Sequence, residues 1–409
     1  MARNKRVLVL AEGGTLAHPT RCAKLAELVA RSGAEVVYGT SAEYLPYIGD
    51  LPGVEKITIS SPPTAEVLRR LDTGKFFTTT AELESQFHEN IQLLDRFAPT
   101  AAIGDVRMTL PMACRSRGVP CLTLVNQHWS TYVRSRYPVP DSAPTRLFGV
   151  RMASMFSRWL TPLLLKKAID PLNQVRARHD FPRYRSMREA YCDGDFVLYV
   201  GLPQQALSSF PANHLMVGPL VWEGTMANSE ADQELEEIEG PAVFVSLGSS
   251  GDQTLVPRIA KAFSDWPGTL IVTHASPDTI LKIRPRRTIV RKFVPVGSAL
   301  RVTDLMIGNG GTATILAALT TGKPYLALYT NLDQALSVED YARTGAVFGD
   351  LSLTMNEERI RSMAQSMLGN CPARSAAENC RSQFEMAGGD QWTVNRIREV
   401  LDHLTSGRA

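Results

Sequence analysis

The chain has 409 residues, too many for one ordinary core, and two domains of about 150–200 residues each are expected. With 44% hydrophobic and 21% charged residues it can bury both cores, and a net charge of +3 argues against a dedicated nucleic-acid binder. Six scattered cysteines form no CxxC pair and no His/Cys ligand spacing, so disulfide and zinc frameworks are excluded and a reducing cytosol is the expected compartment.

The basic start, Met1 to Arg6, is followed by only five apolar residues, Val7 to Ala11, before Glu12-Gly-Gly. That reads as a strand, not an export signal. No window approaches the roughly 18–20 apolar residues of a membrane span, so a soluble cytoplasmic protein is expected.

Strands and helices then alternate. Arg6 to Ala11 is a strand, and Arg21 to Ser32 carries apolar residues at helical spacing and stops at Gly33. Strands follow at Glu35 to Gly39 and Val54 to Ile59, an amphipathic helix at Thr79 to Phe97, and a buried strand at Ala101 to Gly104. A helix from Thr109 to Arg117 and a strand from Val119 to Val125 continue the series. This alternation implies a parallel sheet with helices on both faces.

From 145 to 178 the pattern becomes a long helical region, in which apolar residues such as Leu147, Met155, Phe156 and Trp159 are interleaved with Arg146, Arg151, Arg158, Lys166 and Lys167. Peripheral membrane contact is one reading. The basic residues are not gathered on one clean face, so the expectation is a helix that covers the N-terminal sheet and lines a pocket.

Phe196 to Val200 is a strand, and Met216 to Leu220 leads out of the domain. Glu223 to Gly240 holds seven acidic residues and no Lys or Arg, which marks a solvated linker. The expected divisions are 1–220, the linker 221–240, 241–385, and a C-terminal helix in 386–409.

The second half repeats the theme. Strands are expected at Ala242 to Leu247, Thr269 to His274, Thr288 to Phe293 and Tyr325 to Tyr329. Helices are expected at Thr254 to Phe263, Glu357 to Leu368 and Trp392 to Leu404. Asp304 to Pro324 reads as a short strand, a glycine-rich turn, an Ala/Leu/Thr helix and a Gly-Lys-Pro entry to the next strand. Gly308, Gly310 and Gly311 permit close backbone approach, Thr312 and Thr314 add hydroxyls, and unpaired N–H groups with the positive end of the helix dipole favour a phosphate. Asp333-Gln334 is expected in the loop after the next strand, at the same sheet edge, where it suits a sugar attached to a diphosphate.

In the first half, Glu12-Gly-Gly-Thr-Leu-Ala-His18 lacks GxGxxG but sets a histidine at the carboxyl edge of the sheet, just before a helix. A histidine can accept a proton near neutral pH, although one at a random position is more often structural. Asp105 emerges at the same edge, either to orient that base or to cap the helix from Thr109. Ser246 to Asp252, including Ser249, is a strand exit rich in small donors that fits a diphosphate or a plain loop equally. Phe293-Val-Pro-Val sets Val294 where its backbone would meet a nucleobase. His128 and Trp129 follow a strand end and either touch an acceptor or pack.

Taken together, the His18 turn, the Asp105 strand end, Val217-Gly-Pro-Leu, Val245-Ser-Leu-Gly-Ser, Phe-Val-Pro, Gly-Gly-Thr-Ala-Thr and Asp333-Gln334 resemble, in order, the GT-B glycosyltransferases of family 1, the macrolide and flavonoid type. The resemblance spans nearly the whole chain. It implies an α/β fold of two Rossmann-like domains facing across a cleft, with a C-terminal helix crossing back to the first domain. It implies inverting, metal-independent transfer from a UDP- or dTDP-sugar to a hydroxyl or amine of a small-molecule acceptor, with no cofactor.

By the same resemblance His18 matches the general base and Asp105 its partner. Asn309, Gly310, Gly311, Thr312 and Thr314 match the diphosphate turn, Asp333 and Gln334 the sugar contacts, and Val294 the base contact. The family turn usually begins with histidine. Asn309 can donate a hydrogen bond but cannot become cationic, which weakens charge stabilisation and leaves open a non-catalytic nucleotide-sugar-binding or partner protein. A nucleotide-sugar epimerase of the same fold would need more carboxylates than these motifs offer.

Overall fold

The computed structural model describes residues 5–72, 78–134, 137–207, 209–222, 234–248, 251–274 and 287–406. Most of the acidic linker, 223–233, lies outside them. The chain divides into two compact units. One comprises Met1–Arg134, Trp159–Thr225 and Ala387–Ala409; the other comprises Ser135–Arg158 and Met226–Met386.

In the first unit seven parallel strands, β1 (Arg6–Ala11), β2 (Glu35–Thr40), β3 (Val54–Thr58), β4 (Ala101–Asp105), β5 (Cys121–Asn126), β6 (Phe196–Val200) and β7 (His214–Gly218), lie in the order β3-β2-β1-β4-β5-β6-β7. Parallel strands need crossover helices, which cover both faces, so β1, β4 and β5 are mostly apolar and, beyond Arg6, buried. The exception on β4 is Asp105, at its carboxyl end.

Local chemistry sets the helix ends. Thr79 and Glu82 form a reciprocal capping box at the start of the Thr80–Phe97 helix. The Leu110–Arg117 helix stops at Gly118 in the left-handed region. The last helix, Asp390–Ser406, packs on the Ala17–Arg31 helix and on β7, and Lys24 reaches Asp390 at 2.7 Å. It buries Val394, Ile397, Val400 and Leu401, about 1.5–3 kcal/mol each. Gly218 (φ 107°) lets it approach, because a Cβ there would sit 2.3 Å from Thr393 Oγ1.

The second unit has six parallel strands, β8 (Ala242–Ser246), β9 (Thr269–Thr273), β10 (Arg287–Arg291), β11 (Leu305–Gly308), β12 (Tyr325–Tyr329) and β13 (Val347–Leu351), in the order β10-β9-β8-β11-β12-β13. One face packs Val243, Val245, Ile307, Leu326 and Leu328 against Ile259, Phe263 and Ile360. Residues 135–158 group with this unit although 1–220 was expected to form one domain. Asp141 N donates to Thr330 O at 2.6 Å, and Ser352 Oγ lies 3.4 Å from Asp141 Oδ2.

Several features differ from expectation. The first helix begins at Ala17, not Arg21, because Pro19 falls in its first turn, where a missing N–H breaks no helical bond. β7 and the edge strand β13 were not foreseen, and neither was the helix Pro372–Met386. The 145–178 region is three helices, Ala143–Phe148, Val150–Ala168 and Asp170–Arg178. The middle one buries none of its residues, so it does not cover the N-terminal sheet as expected.

Candidate functional site

Parallel register brings the carboxyl ends of β1, β4 and β5 to one edge, with Ala11 paired to Asp105 and Asp105 to Leu124. His18 lies in the first turn of the Ala17–Arg31 helix, not ahead of it, and its ring is about one-quarter exposed. His18 Nδ1 is 3.0 Å from Asp105 Oδ1. Asp105 is fully buried and gives the helix at Leu110 no cap, which removes the capping reading of this carboxylate.

Arg21, one turn beyond His18, completes the cluster. Its Nε and Nη2 fork onto the two Asp105 oxygens, Nη2 at 2.6 Å, and its Nη1 donates to Asn126 Oδ1 at 2.6 Å. Burial raises the Asp105 pKa, but the charges of Arg21 and His18 and their hydrogen bonds more than offset it, so the carboxyl ends well below its ordinary range. An ionised Asp105 favours the tautomer with the proton on Nδ1. The lone pair is then on Nε2, on the side of the ring away from the carboxylate.

Beside this cluster Glu12 is buried, accepting from Ser61 Oγ and from Gln86 Nε2 at 3.0 Å, with Arg107 Nη1 at 3.7 Å. Burial raises its pKa despite Arg107. Arg107 is itself buried and holds Glu89, the Ser60 carbonyl at 2.6 Å and Asn90 at 3.0 Å, which ties the exits of β1, β3 and β4 together.

In the second unit Gly308 pairs with Ser246 and Ala327 at the sheet edge, and the turn beyond it starts the Thr312–Thr320 helix. Gly310 has φ 84°, and a Cβ there would meet Val338 at 2.8 Å. Gly310 N donates to Tyr325 Oη at 3.1 Å, Tyr325 Oη lies 2.9 Å from Thr314 Oγ1, and Thr314 Oγ1 donates to Gly311 O at 3.0 Å. Since Thr314 Oγ1 spends its proton on Gly311 O, the Tyr325 phenol donates its own to Thr314 Oγ1. Burial pushes that phenol up to about 12, so it stays protonated and the chain keeps its direction. Thr312 Oγ1 is 2.8 Å from Ser337 Oγ, and Asn309 Oδ1 accepts from Gly311 N at 3.1 Å.

Asp333 and Gln334 belong to the first turn of the Leu332–Ala342 helix, not to a loop. Gln334 Oε1 accepts from Thr330 N at 2.9 Å and Thr330 Oγ1 at 3.1 Å, while Asn331 Oδ1 accepts from Gln334 N at 3.0 Å. The turn and this helix are neighbours, since a Gly310 Cβ would also lie 3.2 Å from the Gln334 carbonyl.

No family model matches the sequence. A PGL/p-HBAD biosynthesis glycosyltransferase of Mycobacterium tuberculosis is 30% identical over 404 residues, covering 98% of this chain and 94% of its own. A PGL/p-HBAD biosynthesis rhamnosyltransferase of Mycobacterium bovis is 30% identical over 401 residues, covering 97% and 88%. An inactive PGL/p-HBAD biosynthesis glycosyltransferase of Mycobacterium bovis is 31% identical over 264 residues, covering 64% and 72%. Two solved structures share the fold: the glycosyltransferase VinC with dTDP (TM-score 0.66, 18% identity, 97% of this chain and 100% of that one) and Medicago truncatula UGT71G1 with UDP-glucose (TM-score 0.70, 14% identity, 98% of each).

The chain belongs to the family 1 type of GT-B glycosyltransferases. In this glycosyltransferase the remaining expected residues fall as follows. Val294 is buried after β10, and Ser249 lies outside the described residues. His128 and Trp129 form a short turn after β5 and are both buried, Trp129 with its ring 5.2 Å from that of Tyr191.

Sequence reasoning missed two residues of the glycosyltransferase clusters. Arg21 was readable only as the i+3 neighbour of His18 on a helix that starts early enough. Tyr325 was read only as part of a strand. One group among the described residues has metal-ligand spacing, Glu84, His88 and His179, whose ligand atoms lie within 4.8 Å of one another. Arg178 Nη1 is 3.1 Å from Glu84 Oε2 and already neutralises that carboxylate. All six cysteines are free thiols.

Proposed function

We propose that this glycosyltransferase is an inverting, metal-independent enzyme that moves a sugar from a UDP- or dTDP-sugar to a hydroxyl or amine of a small-molecule acceptor. The observation that carries the reading is the His18 ring, held at Nδ1 by a buried, ionised Asp105 and about one-quarter exposed. His18 Nε2 takes the acceptor proton as the acceptor attacks the anomeric carbon. The bond to the diphosphate breaks on the opposite face, which inverts the centre. Asp105 stabilises the imidazolium that forms.

The Gly310–Thr314 turn takes the leaving diphosphate, with the N–H groups and dipole of the Thr312–Thr320 helix stabilising its charge in place of a cation. Asp333 meets the sugar hydroxyls. Gln334 shapes that site chiefly by fixing the helix start, because its side-chain oxygen already serves the capping box. The rhamnosyltransferase relative and the dTDP-bound structural neighbour support this donor class.

Calorimetric titration with UDP, dTDP and GDP tests the donor site. Micromolar binding of one nucleotide, unchanged by chelator, is expected. Product anomeric configuration by NMR then tests inversion. His18→Ala should abolish most turnover and leave nucleotide binding near wild type.

A second reading, a nucleotide-sugar-binding protein without turnover, is favoured by one observation. Asn309 Oδ1 accepts the Gly311 N–H, a donor the turn would otherwise offer to a phosphate. Nucleotide binding with no transfer across an acceptor panel, and no loss of any activity in His18→Ala, would move that reading to the front.

A further inference from the structure

Nine of the fifteen exposed large hydrophobic side chains among the described residues fall between 147 and 164. Scattered exposed apolar residues are ordinary, but this concentration is not. The helix Val150–Ala168 turns a mixed stripe, mostly small or hydroxylated, inward. Val150, Ala153, Ser157, Thr161, Leu165 and Ala168, spaced three or four apart, form the half-buried stripe. On the opposite side Met152, Met155, Phe156, Trp159, Leu160 and Leu163 are 51–74% exposed. Leu147 and Phe148 extend that surface on the preceding helix, at 77% and 60%.

Charge indicates the occupant. Between Ser142 and Ile169 the chain has five Lys or Arg and no Asp or Glu. Arg146 pairs with Asp141 at 2.6 Å. Arg151 and Arg158, two turns apart, border one side of the apolar face, and Lys166 and Lys167 lie at its C-terminal end. Long basic side chains can lay their stems on an apolar surface and lift their charges to a polar boundary, and an exposed Trp suits the same boundary. A second copy of the chain is a poor fit, because a two-fold interface would set these cations against themselves. A span is also ruled out, as no helix among the described residues is long and apolar enough to cross a membrane.

We propose that this face docks on an anionic lipid bilayer, with the helix lying in the plane of the interface and its apolar side among the acyl chains. The proposal stands apart from the sugar-transfer reading and needs none of its residues.

The full chain is sedimented with vesicles of equal parts phosphatidylglycerol and phosphatidylcholine, and with phosphatidylcholine alone. Binding to the anionic vesicles is expected, about tenfold weaker on neutral ones or at high salt. Phe156→Glu/Trp159→Glu should lower it by at least about tenfold, and Lys166→Glu/Lys167→Glu should lower it on anionic vesicles only. These positions are exposed, so unchanged thermal melts are expected, and the part of the tryptophan quenching by brominated lipid that Trp159→Phe abolishes reads the same contact. Absence of vesicle binding overturns the proposal, as does binding that survives Phe156→Glu/Trp159→Glu. A vesicle-free dimer that Trp159→Glu dissolves would assign the face to self-association instead and also overturns it.

Discussion

Arg21 and His18 reach the same oxygen of Asp105, Arg21 Nη2 at 2.6 Å and His18 Nδ1 at 3.0 Å. The two bases stand one helical turn apart, so a single helix start places both. The carboxylate is fixed by the guanidinium fork whether or not His18 is charged, and the ring is oriented against a group that cannot rotate. The cost is that a permanent cation sits beside a nitrogen that must become cationic during transfer.

Replacing Asp105 with Asn separates geometry from charge. The amide has one oxygen where the carboxylate has two, so it cannot accept from both Arg21 Nε and Arg21 Nη2. Being neutral, it also no longer stabilises the imidazolium that His18 becomes during transfer. A fall in kcat on the order of 10³–10⁴ is expected with little change in donor KM. Removal of the charge also leaves Arg21 buried without its partner, at about 3–5 kcal/mol. Steady-state kinetics and a denaturant melt read the two effects separately.

The same carboxylate predicts an acid limit. Its folded-state pKa lies below its unfolded value, so its contribution to stability is fully present above the unfolded value, about pH 4, and fades as pH falls toward the lower folded one. Glu12 acts with the opposite sign: its raised pKa means that folding is favoured by its protonation as pH falls. Wild type and Asp105→Asn should therefore differ most in stability above about pH 4 and converge below it. A gap that stays constant down to the acid transition would mean that Asp105 is not held ionised by the fold.

Much of this was legible because both sheets are parallel and buried, so Val7 to Ala11 and Ala101 to Gly104 read as apolar runs ending at one edge of the first sheet, and Tyr325 to Tyr329 as such a run in the second. Short edge strands carry less signal. β13, Val347–Leu351, contains Gly349 and Asp350 and looks like a loop. The helix at 150–168 misled for a different reason. Periodicity reports two faces but not which one is turned to the protein, and here the apolar one faces out. Arg21 was obscured by the general rule that a charged residue in an amphipathic helix faces water. Nothing in one sequence announces that a buried carboxylate waits at position 105 to receive it.

Tyr325 should matter to the donor turn without touching a donor. Tyr325→Phe removes the acceptor for Gly310 N–H, leaving that buried donor unsatisfied, and leaves Thr314 Oγ1 with only its bond to Gly311 O. A loss of about 1–3 kcal/mol in stability is expected, together with weaker nucleotide binding as the turn loosens. Thr314→Val, which removes only the next link, should show the same pattern more weakly. Calorimetry and thermal melts on both variants check this, and unaltered nucleotide affinity in Tyr325→Phe would detach the hydrogen-bond chain from the donor site.

Asn309 sets the last test. Its side chain is buried, its oxygen is spent on Gly311 N–H, and its amide nitrogen lies about where a Cβ on Gly248 would approach, 3.8 Å away. A neutral amide there can give a phosphate one ordinary hydrogen bond, whereas an imidazolium gives a charge-assisted one of roughly twice the strength. Asn309→His should therefore tighten UDP or dTDP binding by about fivefold to tenfold and raise kcat in the same direction, because charge builds on the leaving group. The gain should be larger at pH 6 than at pH 8, the direction set by histidine gaining its proton, and it must be read against wild type at each pH because the diphosphate itself titrates. Equal gains at both pH values would mean that shape and not charge limits the turn, and no gain would place residue 309 away from the diphosphate.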